Sequence, residues 1–176
     1  MARILGIDPG FERLGIAVLE KNTEARPQGK ERERVVFSGC FKTSAKLDFS
    51  ERLNLIGKEI KRVIKKYQPE VLAIETLFLN TNQKTVMQVA EARGVVVYEA
   101  SQAGVKIFEA SPLQIKVATT GYGRANKEQV KKMVQILIDN PVRNRENSQQ
   151  SSVSNGTDDE LDAIAIALTA FAHLKR

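Results

Sequence analysis

Short apolar runs bounded by turn residues predict five β-strands. They cover residues 3–8, 14–19, 35–43, 71–75 and 105–109. The first three follow one another with no helical segment between them, which favours an antiparallel meander. The polar loop at 21–34 contains Pro27, Gly29 and many charged residues, so it is predicted to be an exposed extension of a hairpin.

Apolar residues at helical spacing predict four helices. The first begins at the capping-box pair Asp48 and Glu51 and ends before Pro69. The other three are predicted at residues 82–103, 126–138 and 157–175. In the helix at 126–138, the side chains expected to face inward are those of Val130, Met133, Val134 and Leu137.

The order of these elements predicts the fold class. Three strands come first, strands and helices then alternate, and helices close the chain. This order predicts an α/β protein, a single domain over residues 1–176, in which helices flank one mixed sheet. Residues 141–155 are poor in apolar residues and rich in Ser, Asn and Gln, so they are predicted to form a mobile linker.

Composition narrows the function classes. The chain has 176 residues, and its net charge of +6 favours a polyanionic partner. A single cysteine, Cys40, excludes a disulfide within the chain and a thiolate zinc site. No apolar run is long enough to span a bilayer and no signal peptide is recognisable, so no membrane association and a cytoplasmic location are expected.

Two acidic residues end predicted strands. Asp8 follows an apolar run and precedes Pro9-Gly10, while Glu75 ends the strand at 71–75. Ligand sites in open α/β sheets favour the carboxyl ends of strands. An Asp before Pro-Gly is also a common turn residue, and Glu75 could be a solvated strand end. Two acids at one edge of a sheet nevertheless favour a functional site.

Two further acids open the last predicted helix. Asp159 and Asp162 stand three residues apart and therefore share a helical face. Acids near a helix N-terminus are also favoured by the helix dipole, which accounts for Asp158 as well. Asp162 leads into an apolar helix, where an unpaired carboxylate would cost on the order of several kcal/mol or be protonated. A bound cation would remove that cost.

Oxygen ligands alone suit Mg²⁺ or Mn²⁺ rather than zinc. The only histidine, His173, lies near the end of the sequence and is expected at the surface. A carboxylate cluster suits hydrolysis of phosphodiesters by two metal ions, one activating water and one stabilising the leaving oxygen. The residues therefore indicate a nuclease that uses two Mg²⁺ ions, with Mn²⁺ as a substitute.

Four motifs in one order resemble the RuvC Holliday junction resolvases over most of the chain. They are Ile-Leu-Gly-Ile-Asp8-Pro-Gly, Ala-Ile-Glu75-Thr-Leu-Phe78, Glu91-Ala-Arg93-Gly94 and Asp159-Glu-Leu-Asp162-Ala-Ile-Ala-Ile-Ala. The segments at 21–34 and 141–155 look longer than the family pattern, but neither falls on an acidic motif. Choosing Asp159 over Asp158 rests on the spacing to Asp162.

The resemblance implies an RNase H-like fold with a five-stranded mixed sheet, a homodimer and Mg²⁺. It implies paired symmetric nicks across four-way DNA junctions during homologous recombination and repair, alongside the branch-migration proteins RuvA and RuvB. By the same resemblance, the metal-binding catalytic set is Asp8, Glu75, Asp159 and Asp162.

DNA contacts are expected in two loops. Phe78 follows Glu75 in a polar loop, and the resemblance implies that it stacks on an unpaired base near the crossover; packing into the core is the alternative. A basic loop around Gly121 and Gly123 at a helix start suits phosphates. Its candidate DNA-binding residues are Lys116, Tyr122, Arg124 and Lys127.

Three other functions compete with this hypothesis. Actin-like and sugar-kinase phosphotransferases also end a first strand in an acid, but they need two such domains and a glycine-rich adenosine site, which this sequence lacks. A junction-binding module without activity would not need four acids. An RNase H-like relative acting on RNA or on linear DNA remains open without the family resemblance.

Overall fold

The computed structural model describes residues 2–22, 32–77, 83–138 and 156–174. Its strands are β1 Arg3–Asp8, β2 Arg13–Asn22, β3 Arg32–Lys42, β4 Val71–Glu75 and β5 Lys106–Ala110. Its helices are α1 Phe49–Tyr67, α2 Gln83–Gln102, α3 Pro112–Thr120, α4 Lys127–Ile138 and α5 Asp158–Leu174. In the parts of the chain so described, no helix has the length and apolar content needed to cross a membrane.

The strands form one five-stranded mixed sheet in the order β3-β2-β1-β4-β5. The pairs β1–β2 and β2–β3 are antiparallel, which confirms the predicted meander. The pairs β1–β4 and β4–β5 are parallel. The carboxyl ends of β1, β4 and β5 therefore meet at one edge of the sheet, with β1 in the centre.

Each face of the sheet is covered by its own set of helices. Side chains alternate between the two faces along a strand. On β1, Leu5 and Ile7 pack in one core with α1 and α2, whereas Ile4 packs in a second core with α3, α4 and α5. The candidate acids of α5 therefore lie on the second face.

Two glycines let α5 approach the sheet closely. A Cβ atom at Gly6 would lie 2.2 Å from the Ala163 carbonyl oxygen, and one at Gly15 would lie 2.1 Å from the Asp159 carbonyl oxygen. Any side chain at either position would therefore push the helix away. This approach brings the first turn of α5 over β2, beside the end of β1.

Helix α3 was missed by the sequence prediction. Its N-cap is Ser111, whose side chain accepts a hydrogen bond from the Gln114 backbone N–H in a capping box. That Ser-x-x-Gln pattern, with Pro112 directly after the serine, was the available signal. The apolar periodicity was misleading because Leu113 and Val117 are exposed at 61% and 49%.

One inward-facing residue of α4 was predicted wrongly. Leu137 is 42% exposed, whereas Ile138 is buried. The buried stripe of α4 runs through Val130, Val134 and Ile138 at intervals of four residues, and Leu137 lies beside it. The tip of the predicted extension at 21–34, between the ends of β2 and β3, lies outside the described residues, as does the predicted linker at 141–155.

Candidate active site

Three of the four predicted acids line one cleft. Asp8 and Glu75 lie at the carboxyl ends of the adjacent parallel strands β1 and β4, and Asp162 lies in the second turn of α5. The cleft has a volume of about 300 Å³ and is also lined by Lys116, Lys127 and apolar residues of α3, α4 and α5. Residues from five separate elements are thus assembled at the predicted edge of the sheet.

Asp8 is the most perturbed group of the cleft. Its pKa is raised from 3.8 to about 7, chiefly because burial disfavours the charged form and then because Asp162, Glu75 and Asp159 add negative charge. Lys127 opposes this shift only weakly, as the last of the causes. Among the described residues, none gives the Asp8 carboxylate a hydrogen bond or an ion pair.

Glu75 is partly buried, and its backbone is held by an arginine of α2. Burial and then Asp162 raise the pKa of Glu75, while Lys127 lowers it. The Nε atom of Arg93 donates a hydrogen bond to the Glu75 carbonyl oxygen at 3.2 Å, and its Nη2 contacts Glu109 at 2.6 Å. Arg93 therefore ties together the ends of β4 and β5. Its place in the Glu91–Gly94 motif was the signal, but its contacts could not be derived from the sequence.

Asp162 is ion-paired, which corrects the expectation of an unpaired carboxylate. Its Oδ2 atom lies 2.9 Å from the Lys127 ammonium nitrogen. The hydrogen bond to Asp162 raises the pKa of Lys127. Lys127 was predicted to contact DNA at a helix start, and as the first residue of α4 it lines the cleft and faces the acids.

Asp159 lies beside the cleft rather than among its lining residues. Its Oδ2 atom accepts hydrogen bonds from Arg13 Nε at 2.7 Å and from the Cys40 thiol at 3.4 Å. It still lies close enough to Asp8 to raise the pKa of that residue. Its neighbour Asp158 instead pairs with Lys131 at 2.8 Å. Nothing in the sequence marked Arg13 as a partner of Asp159.

The remaining candidates for DNA contact lie around the cleft. Lys116 is on α3, not in a loop, and lines the cleft. Gly121, with a φ of 72°, ends α3 in the left-handed conformation. Tyr122 is 56% exposed in the segment that follows, and Arg124 is also exposed there. Phe78 lies outside the described residues.

The chemistry of the donor set fits a hard divalent cation. Carboxylate oxygens are the ligands that Mg²⁺ and Mn²⁺ prefer, and a cation in the cleft would offset the repulsion that raises the pKa of Asp8. Among the described residues, no three His, Cys, Asp or Glu side chains already form a coordination cluster. The fit to a divalent cation therefore rests on the carboxylate oxygens of the cleft and on their mutual repulsion.

Comparison with known proteins agrees with this arrangement. Residues 4–170 match the protein family described as Crossover junction endodeoxyribonuclease RuvC. The chain is 42% identical over 135 residues to Crossover junction endodeoxyribonuclease RuvC of Halothermothrix orenii. That similarity covers 77% of this chain and 78% of the relative.

Two structures of Thermus thermophilus RuvC are also similar to this chain. One has a TM-score of 0.79 at 28% identity and covers 98% of this chain and 95% of the other. The second is T. thermophilus RuvC in complex with Holliday junction substrate, with a TM-score of 0.78 at 29% identity. It covers 99% of this chain and 97% of the other.

Together, the sheet and these matches define the class of protein as an endonuclease with an RNase H-like fold. The chain belongs to the RuvC family of crossover junction endodeoxyribonucleases. The fold and the enzyme class predicted from the sequence are therefore confirmed.

Proposed function

We propose that this protein resolves four-way DNA junctions by paired, Mg²⁺-dependent nicks during homologous recombination and repair in the cytoplasm. The metal-binding catalytic set is Asp8, Glu75, Asp159 and Asp162. The observation that carries the proposal is the cleft in which carboxylates from β1, β4 and α5 meet. The similarity to RuvC in complex with Holliday junction substrate supports the choice of substrate.

The four carboxylates have different parts in this mechanism. A pair of Mg²⁺ ions, when bound, would supply activation of water and stabilisation of the leaving oxygen. Asp8, at the end of the central strand, and Glu75, fixed through its backbone by Arg93, supply rigid ligands on one side of the cleft. Asp159 and Asp162 supply ligands from α5 on the other side.

Basic residues keep the metal-free cleft from being strongly negative. Lys127 neutralises Asp162 at 2.9 Å, and Lys116 lines the same cleft without a carboxylate at ion-pair distance among the described residues. Lys116 is therefore available to a phosphate of the scissile strand. Tyr122 and Arg124, exposed beyond the end of α3, would extend this contact along the DNA backbone. Phe78 is proposed to stack on a base next to the crossover.

The substrate is tested by cleavage of three synthetic DNAs of equal length. A four-way junction, a linear duplex and an RNA–DNA hybrid are incubated with Mg²⁺, Mn²⁺ or EDTA. We expect cutting of the junction alone, in either metal and not in EDTA. Cutting of the hybrid or the duplex at a similar rate would contradict the proposed substrate, and cutting in EDTA would contradict the metal requirement.

Paired nicks require two active sites, and the helix α2 offers a surface for a homodimer. Met87, Glu91, Gly94 and Tyr98 follow at intervals of four, three and four residues and so share a helical face. All four are exposed, Met87 at 63% and Tyr98 at 60%. Exposed apolar side chains on one face are typical of an interaction surface.

The dimer is tested by sedimentation equilibrium. Tyr98→Lys should shift the protein towards a monomer and reduce paired nicking. Ile136→Lys, which changes an equally exposed apolar residue on α4, is the matched control and should leave the dimer intact. A dimer that survives Tyr98→Lys would place the interface elsewhere. Cooperation with RuvA and RuvB belongs to the same proposal and is tested by adding both proteins to the junction assay.

A further inference from the structure

Three of the four acids in the first two turns of α5, all but Glu160, share a property that Asp8 lacks. Each has a basic partner on another element, in the pairs Asp158–Lys131, Asp159–Arg13 and Asp162–Lys127. Among the described residues, Asp8 has no such partner. The basic residues of the second and third pairs therefore hold positive charge next to the place proposed for the metal ions.

Among the three ion pairs, the one between Arg13 and Asp159 has several donors that converge on a single carboxylate oxygen. Arg13 Nε and Nη2 both contact the same carboxylate oxygen, Oδ2, with Nε at 2.7 Å. The Cys40 thiol donates to this oxygen as well, at 3.4 Å. All three donors fall on one oxygen, so the carboxylate is oriented as well as neutralised.

The surrounding elements fix the partners of this pair. Arg13 is the first residue of β2, and Cys40 lies opposite Gly15 on β3. The Asp159 backbone rests directly over Gly15. The carboxylate of Asp159 is therefore directed to the β2–β3 side, and Asp159 is absent from the residues that line the cleft.

We propose that Arg13 is a positioning residue that acts as a built-in counterion for Asp159 and competes with the divalent cation for this carboxylate. The inference rests on the metal site proposed above. A cation that takes Asp159 as a ligand must share it with the guanidinium or displace it. The Arg13 side chain is 49% exposed, so it loses little when it moves into solvent.

This role has a measurable consequence. Removing the charge of Arg13 takes away a repulsion on the cation and frees Asp159 to turn towards Asp8. One unit charge several ångströms from a divalent ion changes its affinity by about three- to tenfold at the high effective dielectric of a surface site. Arg13 should thus raise the Mg²⁺ concentration that the protein needs.

The test measures Mg²⁺ binding to the protein without DNA, by calorimetric titration and by the rise in melting temperature with Mg²⁺. Arg13→Gln should bind Mg²⁺ about three- to tenfold more tightly than the wild type, since it removes the charge. Arg13→Lys keeps the charge and should stay within about twofold. Arg62→Gln breaks an arginine pair with Glu59 on α1 and should change nothing.

Arg13→Met also removes the charge and should likewise bind Mg²⁺ more tightly. It replaces Arg13→Gln if that variant folds poorly. Unchanged or weaker Mg²⁺ binding in both would overturn the inference. So would a loss of junction affinity with unchanged Mg²⁺ binding, which would make Arg13 a phosphate contact. If the wild type itself binds no Mg²⁺, the proposed metal site fails and the inference fails with it.

Discussion

Two carboxylates on adjacent strands have opposite surroundings. Glu20, near the end of β2, is only 3% exposed and contacts Arg3 at 3.0 Å as well as Arg34. Asp8, at the end of β1, faces Gly15 across the strand pair and has three other acids nearby. Both residues are placed by the same antiparallel ladder, at its opposite ends.

The pKa values record this difference. Burial alone would raise the pKa of Glu20, but hydrogen bonds from Arg34 and Arg3 outweigh it and leave the pKa below its ordinary value. The pKa of Asp8 is raised to about 7 because its burial and the neighbouring acids are opposed only weakly, by Lys127. A compensated carboxylate stabilises the fold, whereas an uncompensated one is available to a cation or a proton. Burial of charge is therefore informative only together with its partners.

The largest expected effect is on cutting. Asp8→Asn should reduce junction cleavage at least about a hundredfold, since even loss of a group that only orients a metal ligand costs 10–100-fold. Junction binding should survive, because affinity comes largely from Lys and Arg contacts to phosphates. Glu75→Gln and Asp162→Asn should behave in the same way. Nicking and gel-shift assays on the same preparations measure both quantities.

Glu20→Gln is the matched control for this experiment. It makes the same carboxylate-to-amide change on the neighbouring strand and should leave cutting within about twofold, since Glu20 lies away from the cleft. If the Glu20 variant lost cutting as completely as the Asp8 variant, the distinction between the two carboxylates would be wrong. Full cutting by Asp8→Asn would remove that residue from the catalytic set.

Glu20→Gln, the control for cutting, should itself lower the stability of the fold. Glu20→Gln takes a buried carboxylate away from Arg3 and Arg34, whose own side chains are partly exposed. Breaking a fully buried pair costs about 3–5 kcal/mol, and about 2 kcal/mol is expected here because Arg34 is 60% exposed. The melting temperature should fall by roughly 4–8 °C. An unchanged melting temperature would show that the two arginines do not stabilise the fold through Glu20.

Asp8 should make the metal-free protein less stable as pH rises. Between pH 3.8 and about 7, the folded protein keeps a proton on Asp8 that the unfolded chain releases. This contribution is fully present below 3.8 and is lost as the pH passes 7. Above that pH, Asp8→Asn in EDTA should be more stable than the wild type by about 1–2 kcal/mol, or roughly 2–8 °C.

The pH dependence is measured from melting curves of both proteins between pH 5 and 8. The gap between Asp8→Asn and the wild type should widen as the pH rises, and Mg²⁺ should close it by stabilising the wild type alone. A gap that stays constant with pH would mean that Asp8 does not titrate in this range, and that its neighbours do not act on it electrostatically.

Much of the fold followed from local patterns. The strands at the start of the chain and the capping box of α1 were strong local signals, and both are present. Helix α3 was missed because its exposed Leu113 and Val117 obscure the apolar stripe. The close contact of α5 with Gly6 and Gly15 could not be predicted, since it depends on which helix crosses which strand.

The sequence predicted which acids form the site, but not which basic residue pairs with each of them. Acids at strand ends and in the first turns of a helix pointed to Asp8, Glu75 and Asp162, which line the cleft. Their compensation depends on contacts between residues far apart in sequence, such as Arg13 and Asp159, 146 positions apart. No local pattern encodes such a pair, because charged residues are common on any solvated strand or helix.

The smallest effect is expected at Asp162, where the partner changes the prediction. Treated as an unpaired buried carboxylate, Asp162 would destabilise the metal-free protein, and Asp162→Asn would raise the melting temperature in EDTA. Its ion pair with Lys127 at 2.9 Å removes most of that gain, while loss of the pair costs little because Lys127 is 58% exposed. The two effects nearly cancel, so the melting temperature in EDTA should change by less than about 2 °C. Mg²⁺ should still stabilise the variant less than the wild type. A rise as large as that of Asp8→Asn would mean that Lys127 does not compensate Asp162, and a clear fall would make the pair a structural one.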